Sequence, residues 1–144
     1  PRLEFLEDDP SCYTIGILGD LHLDPRDLED SLLGRKHMNA ALAGQPNVFV
    51  VSLGDLGESK DCNETKQLYS GTTECFQLAR EFLDGLDFPY DVVGGNHDLE
   101  GIDEFGTDEE NLSAFLRHLG KETPQFCHEI ADHTLLVGLG STAF

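Results

Sequence analysis

Six residues with metal-ligand chemistry follow three short apolar runs, and each group is led by glycine. Gly19 precedes Asp20-Leu21-His22, Gly54 precedes Asp55, and Gly94-Gly95 precedes Asn96-His97-Asp98. Glycine lets a chain turn sharply and approach a ligand closely. Asp20 and His22 are two apart, so an extended backbone turns both to one side. Together the groups offer three carboxylates, two imidazoles and one amide oxygen. That donor set suits Mn, Fe, Zn or Mg and not a thiolate-seeking metal. A single carboxylate from the middle group, Asp55, could bridge two ions, and ions about 3.5–4 Å apart polarise phosphoryl oxygens. Each group alone has a plainer explanation: an Asp after a strand caps the next helix, and Asn-His-Asp makes a turn. Three glycine-led groups in succession are poorly explained by caps.

The elements that must carry these residues can be read from periodicity. Residues 12–19 (CYTIGILG), 48–54 (VFVVSLG), 90–94 (YDVVG) and 134–140 (TLLVGLG) are short apolar runs and read as strands buried on both faces. Residues 126–130 (FCHEI) suggest a further, alternating strand. Over 64–86, Leu68, Cys75, Phe76, Ala79, Phe82, Leu83 and Leu86 share one helical stripe, with Gly71 as a kink or a break between two helices. Residues 107–119 form the clearest helix, opened by a Thr107/Glu110 capping box and closed by Gly120. A poorer helix covers 27–43. Arg35 lies on its apolar face and reads as an ion-pair partner in preference to a phosphate ligand. Alternating strands and helices predict an α/β fold with βαβ crossovers and a largely parallel sheet. In such sheets, working residues lie beyond the carboxyl ends of the strands, where the three groups fall.

The ordered blocks Asp20-x-His22, Gly54-Asp55 and Gly95-Asn96-His97-Asp98 resemble the calcineurin-like metallophosphoesterases. The texture of residues 54–64, 96–105 and 138–142 is similar to plant and algal, plastid members, which would imply a chloroplast location. The resemblance implies a two-sheet αββα sandwich and a binuclear centre of two divalent or trivalent ions, of which Mn, Fe or Zn are expected. It implies that Asp20 and His22 bind the first metal, Asp55 bridges, and Asn96 binds the second. His97 would act on the leaving-group oxygen with Asp98 orienting it, while a metal-bound hydroxide attacks phosphorus. The family pattern continues with a further His and a Gly-His-x-His that have no match here. The 144 residues therefore correspond to the N-terminal part of a single phosphoesterase domain, cut after about the fourth or fifth strand. The site is expected to be incomplete in this chain. A start at Pro1 and not Met agrees with a processed or partial chain.

Composition narrows the partners. Lys and Arg total 9 against 28 Asp and Glu, a formal charge of −19. General nucleic-acid binding is not expected, and a phosphorylated small molecule or phosphoprotein would need bound cations for its phosphate. No apolar run approaches the ~20 residues of a membrane span, and no signal peptide is visible, so a soluble intracellular protein is expected. Cys12, Cys62, Cys75 and Cys127 form no C-x-x-C pair and read as buried free thiols. A haloacid-dehalogenase-like phosphatase would need D-x-D where this chain has Asp20-Leu21-His22. The ending Gly138-Leu139-Gly140-Ser141-Thr142-Ala143 matches a dinucleotide fingerprint but leaves no room for its helix. The competing reading of the chain is a catalytically silent scaffold or subunit of a larger assembly that retains the hydrolase fold.

Overall fold

In a computed structural model, residues 12–58, 68–101 and 103–140 are described. Cys62, residues 64–67 of the long helical stripe and 141–143 of the glycine-rich ending lie outside them.

β1 (Thr14–Leu18), β2 (Val48–Ser52) and β3 (Tyr90–Val92) form a parallel sheet in that order, with β2 central. Val50 stands opposite Gly16 on one side and Tyr90 on the other. α1 (Leu28–Leu42) and α2 (Thr73–Asp84) supply the two crossovers. Sequential parallel strands joined by crossovers of one hand must carry their helices on one face. That is what the core shows. Val48, Val50 and Val92 pack with Cys75, Phe76, Ala79, Phe82 and Leu83 of α2 and with Ala114, Phe115 and Leu119 of α3 (Asp108–Leu119), while Met38 and Leu42 of α1 join from its edge. The alternate residues Phe49, Val51 and Val93 face the opposite way, onto Phe126 and Ile130. The parallel sheet thus lies between a helical layer and a hairpin, β4 (Phe126–Ala131) with β5 (Thr134–Gly138).

The mixed α/β class and the parallel sheet agree with expectation, but β5 does not join that sheet. It pairs antiparallel with β4, because only Asp132 and His133, the latter at φ 60°, separate the two strands. A link that short cannot make a parallel crossover. Nor is β5 buried on both faces, since Leu135 and Val137 are exposed on its outer side. Burial on both faces holds in full for β2 alone, and in β1 Ile17 is 62% exposed.

Gly71 marks the turn before α2 and not a kink inside it. Its φ is 73°, and Thr72 caps the helix by accepting from the Cys75 N–H. The capping prediction for α3 holds: Thr107 accepts from the Glu110 N–H, and Gly120 closes the helix at φ 68°. The Glu110 carboxylate, however, reaches back to the Gly106 N–H.

Among the described residues Arg35 forms no ion pair. Its Nη1 donates to the Phe82 carbonyl at 2.7 Å, and its guanidinium lies 5.4 Å from the Phe82 ring centre. A cation there satisfies carbonyls left open at the end of α2. Cys75 is a buried thiol, as expected, and burial pushes it above the usual thiol range. Cys12 and Cys127 are exposed and not buried.

Candidate metal centre

The three strand ends are drawn together by backbone before any side chain is considered. Past β1 and β2 the chains stay zipped: the His22 N–H donates to the Asp55 carbonyl and the Leu23 N–H to the Leu56 carbonyl, both at 2.9 Å. The end of β3 is pressed against them. A Cβ on Gly54 would lie 2.1 Å from the Gly95 nitrogen, and one on Gly95 would lie 2.2 Å from Asp55 Oδ1. Only glycine permits this approach, and Gly54 also sits at φ 88°. His22 and Asp55 adopt positive φ values of 41° and 47°. Left-handed backbone in residues with a Cβ is uncommon outside turns and sites that a surrounding structure holds in place.

The strained positions bring the predicted ligands together. One ligand atom from each of Asp20, His22 and Asp55 lies within 4.8 Å of the others. Asp20 is exposed, and His22 and Asp55 are half-buried. The His97 N–H donates to Asp55 Oδ1 at 3.0 Å, which leaves the rest of that carboxylate for another partner. The His22 ring stands 5.9 Å from the His97 ring, and Glu58 Oε1 lies 3.6 Å from His22 Nδ1. Two carboxylates and an imidazole within one small radius are a suitable donor set for a divalent or trivalent cation. Asn96 lies at the start of a 3-10 turn (His97–Leu99) and is exposed, between Gly95 and His97.

Asp98 has a different task from the orienting role implied by family resemblance. It is fully buried, and its carboxylate accepts the N–H groups of Asp55, Leu56 and Gly95 at 2.8–2.9 Å. It therefore clasps the end of β2 to the end of β3. Burial raises its pKa to about 6, with the three amides opposing the shift. With both oxygens engaged by amides, the carboxylate at His97 Nδ1 is that of Glu100 instead, at 2.5 Å. The Glu100 hydrogen bond raises the His97 pKa, with Asp55 and Asp98 adding to it from further away.

Two further residues support this group. Ser70 Oγ donates to the His97 carbonyl, and the Ser70 N–H donates to the Glu58 carbonyl, both at 2.8 Å. Asn111, buried on α3, donates to the Gly71 carbonyl and accepts the Gly101 N–H. Sequence reasoning missed these residues and Glu100. A signal existed for two of them: Glu100 is one helical turn from His97, and Asn111 is a polar residue beside an apolar stripe.

No protein-family profile matches the chain, and no curated protein aligns with it as a relative.

Proposed function

We propose that the chain carries the amino-terminal part of a metal-dependent phosphoester hydrolase of calcineurin-like type, working at the carboxyl ends of β1, β2 and β3. The observation that carries this reading is the meeting of Asp20, His22 and Asp55 within 4.8 Å on strained backbone. Asp20 and His22 would hold one ion, Asp55 would share it with a second, and Asn96 would serve the second. Such ions, when bound, polarise phosphoryl oxygens and lower the pKa of water at the site. They would also offset the acidic chain, which at −19 repels a phosphate ester. His97 stands beside the group, with Nδ1 held by Glu100. Its other nitrogen is the natural proton donor to a departing alkoxide. The substrate is then a phosphorylated small molecule or a phosphoprotein.

Titration with Mn²⁺ followed by calorimetry, together with hydrolysis of phosphomonoesters and phosphodiesters, tests the proposal. Asp55→Asn should lower Mn²⁺ affinity by more than about 100-fold, since even outer partners of metal ligands contribute about 10–100-fold. Hydrolysis should fall with it. Full activity in Asp55→Asn overturns the assignment.

A second reading, a silent scaffold in a larger assembly, draws on one observation. Leu135, Val137 and Leu139, on and just beyond β5, are 64%, 55% and 72% exposed. An apolar strip of this kind suits a partner surface. Metal-free, inactive protein that comigrates with a large complex would favour it.

A further inference from the structure

The pairing of His97 with Glu100 is not explained by folding alone. Glu100 ends the 3-10 turn that begins at His97, and its N–H donates to the His97 carbonyl at 3.1 Å. Its backbone has an unusually firm mount. A Cβ on Gly71 would lie 2.7 Å from the Glu100 nitrogen, and one on Gly101 would lie 2.0 Å from the Gly71 carbonyl oxygen. The two glycine backbones therefore touch, and Asn111 ties both of them from the buried side. Ser70 secures the other end of the turn at the His97 carbonyl. The main chain on both sides of the His97–Glu100 pair is thus held by buried polar groups, while the pair itself is part-exposed: the imidazole is 28% and the carboxylate 35% exposed. A surface pair needs no such mount, and an exposed ion pair contributes little to stability. The arrangement makes sense if the orientation of the imidazole matters.

We propose that Glu100 is the positioning residue that fixes the ring and tautomer of His97, keeping a proton on Nδ1 so that Nε2 faces substrate. This rests on the reading of His97 as the acid that serves the leaving group. In the hydrolytic step, a water oxygen forms the bond to phosphorus and releases a proton to solvent. The bond from phosphorus to the leaving oxygen breaks with its electron pair on that oxygen, and the Nε2 proton of His97 passes to it. His97 is left as the neutral Nδ1–H tautomer, the form that a carboxylate at Nδ1 favours. Glu100 itself neither gains nor loses a proton. Asp98, the adjacent acid, cannot serve in its place, because its oxygens are taken up by three main-chain amides.

The test compares the full chain with Glu100→Gln and Glu100→Ala, each loaded with Mn²⁺. Metal content should be unchanged. With an alkyl phosphate, whose departing oxygen needs a proton, kcat should fall about 30-fold. With 4-nitrophenyl phosphate, whose leaving group departs as an anion, it should fall less than about 3-fold, and KM should change little for either. Nitrogen-15 spectra of the imidazoles in metal-free protein at about pH 9, above the usual histidine range, supply a readout independent of turnover. Wild-type His97 should carry its proton on Nδ1, and Glu100→Ala should move it to Nε2. An equal loss for both esters, or a His97 spectrum unaltered by Glu100→Ala, overturns the proposal. If the wild-type chain, which carries only the amino-terminal part of the proposed site, hydrolyses neither ester, the spectra alone decide: a His97 tautomer unaltered by Glu100→Ala overturns the proposal.

Discussion

Among the described residues two hydrogen-bonded histidine–carboxylate pairs lie on this parallel sheet, and they differ in almost everything except their chemistry. Beyond the carboxyl end of β3, His97 meets Glu100 at 2.5 Å. Beside β3 itself, His128 meets Asp91 at 2.7 Å. The second pair is closed on itself. Asp91 also takes the ammonium of Lys121, which is 8% exposed, and the imidazole stacks on Phe126 and leans on Phe49, each with ring centres 5.1 Å apart. A groove of about 620 Å³ runs past it, yet the carboxylate facing that groove is already matched by a cation and an imidazole. The first pair stands next to two further carboxylates, Asp20 and Asp55, which gather with His22 within 4.8 Å, on backbone with positive φ at His22 and Asp55. Neither a short hydrogen bond nor an orphaned ring nitrogen separates the two regions. Among the described residues, His22 Nδ1 and His128 Nδ1 are both buried without a hydrogen-bond partner. What separates them is a group of two carboxylates and an imidazole carried on strained main chain.

The contrast can be broken from the strained side first. Gly54→Ala should have the largest effect. Its Cβ would meet the Gly95 nitrogen at 2.1 Å and the Val93 carbonyl oxygen at 2.7 Å, both main-chain atoms that cannot swing aside. Overpacking and a left-handed alanine together should destabilise the fold by about 4 kcal/mol, with Mn²⁺ binding lost in whatever fraction stays folded. Denaturant unfolding and calorimetry would measure both, and retained metal affinity would show that the strand ends need not touch. Lys121→Met comes next, on the compensated side. It removes the ammonium that lies 5.4 Å from the Phe126 ring centre and leaves Asp91 with His128 and the Val92 N–H, so stability should fall by about 3 kcal/mol. Metal affinity should not change. A change in Mn²⁺ binding here would mean that the two regions are coupled and the contrast is false.

How much of this could be read from sequence depends on whether the signal was local. The strand ends could be recognised because a glycine after an apolar run and a polar residue after the glycine report one turn of backbone, and Asp20, His22 and Asp55 did meet. α3 could be read because Thr107 and Gly120 are themselves its boundaries. The antiparallel turn of β5 was misread because an apolar run has the same appearance in a buried parallel strand and in a half-covered hairpin, and the pairing partner alone decides. Arg35 was misread for a related reason: its partners are carbonyls 46 and 47 positions away, which carry no side-chain signature. Asp98 and Glu100 show the limit most sharply. Both are acids near His97. The one adjacent in sequence turns into the core to hold amides, and the one a turn away reaches the imidazole.

α3 connects the two regions, and its first turn supplies the smallest test. Near its start, Asn111 holds the Gly71–Gly101 contact behind Glu100, and just past its end Lys121 reaches Asp91. Thr107→Ala removes the side-chain oxygen that accepts the Glu110 N–H at 3.2 Å. Loss of such a cap should lower stability by about 1 kcal/mol. The loss should be uneven. Amide exchange should quicken in the first turn, at residues 108–111, while protection near Leu119 and Lys121 holds, because helix ends fray locally. If the mount of Glu100 depends on Asn111, the tautomer of His97 should become more mixed in Thr107→Ala, although residue 107 touches neither group. An unchanged His97 spectrum alongside faster exchange at Asn111 would show that the glycine contact alone holds Glu100 in place.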